Sequence, residues 1–213
     1  MAVTSDPFPL SRDERYARAI ARFDAANGED PRRESADGRE VPKELRYAER
    51  LTSMLMRFEP DASEELRLAA RCQHIQRWKI PRSDYPMTRS GYQQWRKRLR
   101  DFHADLAASI LSDVGYDDGT IARVQSLIRK EALKTDAEAQ TLEDVVGLVF
   151  LESYLQEFVD AHRGYDEAKF ADILAKTAKK MSARGRQVAL TGISPPRDLL
   201  PVIQTAMEGR GAS

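Results

Sequence analysis

Along most of this chain an apolar side chain returns every third or fourth residue. Nowhere does a β-branched-rich stretch keep the every-second alternation of a strand. A period near 3.6 puts those residues on one face of a helix, and that face must be buried. Leu45, Ala48, Leu51, Leu55 and Phe58 form one such stripe, and Tyr92, Trp95, Leu99, Phe102, Leu106 and Ile110 another. Leu66, Leu68, Ala69, Ala70, Cys72 and Ile75 surround most of a helix, as does the run from Leu142 to Leu151, so these two segments are expected deep in a core. The expected fold class is all-α.

Local signals divide the pattern. Residues 1–10 have no period and are expected to be a mobile tail, ahead of a single helical domain over 11–209. Ser11 and Glu14 make a capping box, and Asn27-Gly28 ends the helix it starts. Residues 28–41 read as a loop, and Pro42 fits the first position of a second helix. A third helix is expected from Asp61 to about Arg77, then an extended segment over 79–87, where two prolines disfavour helix before them. A fourth is expected from about Arg89 to Val114, a fifth from Asp117 toward Lys134, and a sixth from about Ala137 to Ala161. C-terminal helices are expected over about 165–209.

With 41% hydrophobic and 32% charged residues the chain can build a core, which excludes disorder. No apolar run approaches the roughly twenty residues that span a bilayer, so no membrane role is expected. The N-terminus lacks a secretory pattern, and the lone Cys72 excludes an internal disulfide, so a cytoplasmic location is expected. The 34 basic and 34 acidic residues cancel, which disfavours a surface devoted to nucleic acid. Yet nine basic residues against Asp84 give residues 71–100 a charge of +8, and nine acids against Arg163 give 136–167 a charge of −8. Such polarity can steer charged ligands.

Of three histidines, His74 shares the inward stripe of Leu66 and Ala70, and His103 that of Leu99 and Ile110. Asp144 lies on the apolar side of the sixth helix, four residues before Leu148, with Glu143 beside it. A buried carboxylate is costly unless it is hydrogen-bonded, paired or metal-bound. His74, His103 and Asp144 are therefore candidate ligands of a divalent metal, with Asp144 and Glu143 the candidate catalytic carboxylates. The competing reading lets each imidazole donate to a backbone carbonyl or a carboxylate and fill space. Arg96, Arg100 and His103 align on one helix face, while Arg77 and Arg82 flank an irregular segment containing Tyr85. Guanidinium forks suit phosphate oxygens, and aromatic faces stack on bases. Arg77, Arg82, Arg96, Arg100, Tyr85 and Lys130 are accordingly candidate substrate-binding residues. Arg89, Lys97 and Arg98 read as a solvated face, Cys72 as packing and His162 as a capping residue.

The strings RCQHIQRW (71–78), PRSDYP (81–86), GYQQWR (91–96), FHA (102–104) and QTLEDVVGLVFL (140–151) resemble a family of small helical proteins known only as a domain of unknown function, over about 42–190. More distantly, LAARCQHI (68–75) is similar to the His-Asp helix of the HD-domain phosphohydrolases. Gln73 stands at that family's histidine and His74 at its aspartate, while His103 and Asp144 resemble its next histidine and final aspartate. Arg46 or Tyr47 falls at its first histidine, and Lys130 at another. The resemblance implies an HD-like helical bundle over about 42–162 with added N- and C-terminal helices. It further implies metal-dependent hydrolysis of a phosphorylated small molecule or nucleotide, so the enzyme reading is a phosphohydrolase. The alternative is an inactive HD-like module that binds a nucleotide, RNA or a protein partner without turnover.

Overall fold

The apolar stripes become helices in the computed structural model, which describes residues 10–36 and 38–209. The tail expected over 1–10 lies, except for Leu10, outside the described residues. Ten α-helices occur among them: α1 (Arg12–Gly28), α2 (Lys43–Phe58), α3 (Glu64–Cys72), α4 (Arg89–Val114), α5 (Asp118–Arg129), α6 (Ala137–Val149), α7 (Leu155–Ala161), α8 (Glu167–Lys180), α9 (Ala183–Thr191) and α10 (Leu200–Met207). The protein is thus mostly helical. The segment read as a loop instead contains an antiparallel hairpin, β1 (Arg33–Ala36) and β2 (Arg39–Pro42). Pro42 ends β2 and α2 starts one residue later. Gly38 supplies the positive φ (+76°) that the two-residue connection needs. No helix among the described residues is long and apolar enough to cross a membrane.

Contacts divide the chain into two compact units, and the division falls inside α2. Unit 1 takes the described residues up to Glu49 and then Ser63–Glu131, and unit 2 takes Arg50–Ala62 and the described residues from Ala132 on. In unit 1, α1 and α5 both pack on α3 and on α4. Phe23, Leu66, Leu68, Leu99, Leu111, Leu127 and Ile128 are fully buried there. Each contributes about 1.5–3 kcal/mol by leaving water. The Ser11–Glu14 capping box forms as expected, Ser11 N–H donating to Glu14 Oε2 at 2.9 Å and Glu14 N–H to Ser11 Oγ at 3.3 Å. Tyr116 OH donates to Glu64 Oε1 at 2.6 Å, and Arg12 pairs with the same carboxylate.

In unit 2, α6 packs on α8 and α9, and α10 on the same two helices. Leu55, Leu142, Leu148, Leu151 and Leu155 are buried. The expected sixth helix is interrupted by a π-turn, Phe150–Tyr154, before α7 continues it. Glu152 in that turn pairs with Arg57 (3.1 Å) and accepts from Ser194 N–H (3.1 Å), so the wider turn serves two ties within the unit.

Two further boundaries depart from expectation. The third helix stops at Cys72, five residues early, because Gln76 takes a left-handed conformation (φ +50°). Its N–H donates to Oδ1 of the buried Asn27 at 3.0 Å, and its side-chain amide to Glu29 at 3.1 Å. The segment expected to be extended over 79–87 starts on the last residue of a 3-10 turn, Arg77–Lys79, and contains a second, Arg82–Asp84.

Candidate functional site

The early end of α3 builds a polar cluster in unit 1. Past Cys72 the chain turns, leaving His74 in the turn and swinging Arg77 back over the ring of Trp95, its guanidinium carbon 4.8 Å from the ring centre. The Trp95 indole N–H fixes that platform by donating to the Ile80 carbonyl at 2.9 Å. From α2 come Glu44 and Tyr47. The Tyr47 and His74 rings stack nearly parallel, at 8°, with centres 4.4 Å apart. From α4 comes His103, whose ring centre lies 5.8 Å from that of His74. Gln76 and Lys130, two of the three non-glycine residues with left-handed backbone among the described residues, belong to this part of the chain. Such strain costs on the order of 1 kcal/mol or more and persists only where the surroundings enforce it.

Hydrogen bonding fixes the state of His103. Its Nδ1 lies 2.8 Å from the Ile75 carbonyl oxygen, which can only accept, so Nδ1 carries the proton and Nε2 is bare. Nε2 is buried with no hydrogen-bond partner among the described residues. Burial, and then the Arg77 charge, push the His103 imidazole down to about 3, against the pull of the Ile75 carbonyl. His74 is likewise held well below the ordinary imidazole range, by burial first and then by Arg77, His103, Arg96 and Lys130. Both rings are therefore neutral near pH 7. The His74 side chain keeps 24% of its surface, and so is the part of the pair a solute can meet.

Glu44 is the buried carboxylate of the cluster, 3.9 Å from His74 Nδ1. Burial raises it, and Arg77 and Arg32 pull it back. Arg32 donates to Glu44 Oε1 at 2.8 Å and makes two bonds to Asp30 (3.0 and 2.9 Å), while Asp30 accepts the Glu44 backbone N–H at 3.1 Å. Burial would raise Asp30, but these bonds hold it below its ordinary value. Burial lowers Arg77 with Glu44 opposing, and a guanidinium remains a cation throughout. Two buried carboxylates, Glu44 and Asp30, thus share Arg32, while Arg77, Arg96 and Lys130 direct positive charge at His74.

Not all the residues expected at a site take part. Arg82 spends its guanidinium on the carbonyls of Tyr85 and Pro86, both at 2.8 Å, and so ties the loop to itself. Gly91 lets that loop approach α4, since a Cβ there would stand 2.2 Å from the Pro86 oxygen. Tyr85 and Arg100 are half-buried. Arg96 lies over Tyr92, 6.0 Å from its ring centre. Lys97 pairs with Asp101 at 2.7 Å, and Arg98 is exposed, as a solvated face requires. Cys72 is buried with its thiol toward the Leu68 carbonyl, and burial pushes its ionisation well up. His162 caps α7 and bonds the Phe158 carbonyl at 2.7 Å.

Asp144 belongs to unit 2, where its carboxylate accepts the N–H and hydroxyl of Ser182 and the Gln140 amide. Ser182 is the N-cap of α9, and Gly185 leaves room for this clamp, since a Cβ there would meet Asp144 at 2.6 Å. Glu143 is buried in the same unit. The expected metal ligands His74, His103 and Asp144 therefore differ in what they offer. His103 presents one bare but covered nitrogen, His74 stacks beside Glu44, and both Asp144 oxygens are engaged. Among the described residues no group of three or more His, Cys, Asp or Glu side chains could hold a metal ion. The residues present do not fit the expected divalent metal.

Glu44, Tyr47, Asp30 and Arg32 lie outside the expected set. Glu44 had a signal: it precedes Ala48 by four residues and Leu51 by seven, on the apolar stripe of α2. Compared with known proteins, residues 17–203 match the model of a family described as Domain of unknown function (DUF4202). No curated protein and no solved structure matches the chain.

Proposed function

Taking as premise that the chain belongs to the DUF4202 family, we propose that unit 1 binds a phosphorylated small molecule of the nucleotide class, at the cations around His74. One observation carries the reading: Arg77, Arg96 and Lys130 all bear on His74, which burial and those charges keep neutral. A phosphate is attracted by those charges. The guanidinium of Arg77, held flat over Trp95, presents a planar set of donors to it. Tyr92, nearly half exposed beside Arg96 and Trp95, offers an aromatic face to a base.

An HD-like arrangement of the helices belongs to this proposal. It is supported by the contact of His74 with Tyr47, one of the two residues (with Arg46) that resemble the HD family's first histidine position, and by His103 beside them. A cytoplasmic setting goes with it, in keeping with the one buried free thiol. We favour binding over hydrolysis, because hydrolysis by metal-activated water needs a ligand set that the described residues do not form.

The test is titration of the full chain with adenosine 5′-monophosphate, inorganic phosphate and adenosine, in chelator, at low and moderate salt. The nucleotide and phosphate are expected to bind, more weakly as salt rises, and adenosine to bind much less. Adenosine binding as well as its monophosphate would overturn the reading. Phosphate released from the nucleotide on adding a divalent metal would replace binding by turnover.

A further inference from the structure

Unit 2 contains a cavity of about 350 Å³, within the size range of small-molecule sites. Leu155 and Val159 of α7 and Phe170 and Leu174 of α8 line it, and α10 contributes Val202. Seven of its nine lining residues are apolar, and the other two, Glu167 and Asp198, are both acids. Both carboxylates are exposed, and neither has an ion pair or hydrogen bond among the described residues. On α8, Lys176 pairs with Asp172 at 2.6 Å and Lys169 lies over the Tyr165 ring, and the exposed Arg197 precedes Asp198.

We infer that this cavity is a binding site for an apolar amine, whose hydrocarbon part fills the space between α7, α8 and α10 and whose ammonium group lies between Glu167 and Asp198. An uncharged apolar ligand would leave both acids unanswered at the mouth, and an apolar acid would be repelled. The ammonium, by contrast, exchanges water for two carboxylates while its chain leaves water. The inference is independent of phosphate binding in unit 1.

The experiment titrates the full chain with hexylammonium, hexanol and hexanoate, following the methyl signals of Leu174 and Val202 by NMR. Hexylammonium is expected to bind about tenfold more tightly than hexanol, the scale of one or two exposed ion pairs, with hexanoate weakest. The double variant Glu167→Gln, Asp198→Asn changes only exposed, isosteric groups. It should bind all three probes like hexanol, with its melting temperature unchanged. Equal binding of the three by the natural chain, a cation preference that survives in the double variant, or no shift at these methyls would each overturn the inference.

Discussion

The two units treat their buried polar groups in opposite ways. In unit 2, Asp144 accepts three hydrogen bonds, from Ser182 and Gln140, and its charge is used up in starting α9. In unit 1, Glu44 and Asp30 are both drawn to Arg32, Arg77 lies close enough to pull on Glu44 as well, and His103 keeps a bare nitrogen. Residue type does not separate these cases, since an inward Asp and an inward His look alike as chemistry. Completeness of bonding does. Asp144, with both oxygens bonded, is architecture, whereas a bare buried nitrogen beside a guanidinium marks a place for a ligand.

Asp144→Ala should break the first half of that contrast most visibly. It removes the acceptor of three bonds in a buried setting, so unfolding free energy should fall by about 2–4 kcal/mol in urea denaturation. Nucleotide affinity of the folded protein should be unchanged. Lost affinity at full stability would instead make Asp144 part of the site. Arg77→Ala should do the reverse, weakening phosphate binding by about 1.5–3 kcal/mol, roughly ten- to a hundredfold in a titration. A loss in the same range from Arg82→Ala would mean that its bonds to the Tyr85 and Pro86 carbonyls are readily exchanged for phosphate.

Smaller effects sharpen the picture. An unfolded histidine takes up a proton below about pH 6.5, whereas folded His103 does so only near 3. The unfolded chain then binds more protons, so stability should fall as pH drops through that window, by up to about 1.4 kcal/mol per unit for His103. His74 adds in the same direction, and Asp30, already lowered, acts only below about pH 4. His103→Asn can still donate to the Ile75 carbonyl but does not titrate, so urea denaturation between pH 7 and 5 should show a shallower slope. An unchanged slope would deny that His103 is held neutral. Least of all, Arg98→Ala should change stability and affinity by less than about 0.5 kcal/mol, as for any surface position.

Much of this was legible locally. Most of the α2 stripe, Leu99 and Ile110 on α4, the Ser11 capping box and the inward places of His103 and Asp144 follow from periods of three and four residues, whereas Tyr92, read as core, is exposed and His74 lies in the turn past α3. What was hidden depends on partners far along the chain. The helix read to reach Arg77 ends at Cys72 because Asn27, 49 residues before Gln76, bonds its N–H. Asp144 read as a metal ligand because the Ser182 that uses it lies 38 residues on. Arg82 read as a phosphate fork, yet its fork is filled by carbonyls only three and four residues away, in a turn that no period announces. Glu44 was visible on an apolar stripe and carried its own clue, an acid where a leucine would be expected.

The most direct test uses the fact that the chain has only three histidines. Their ring signals can be followed by NMR while adenosine 5′-monophosphate is added in the presence of a chelator. A phosphate site at the unit 1 cluster predicts that His74 and His103 shift together and saturate, while His162, in unit 2, stays still. No shift at His74 and His103, or an equal drift of all three rings, would contradict it.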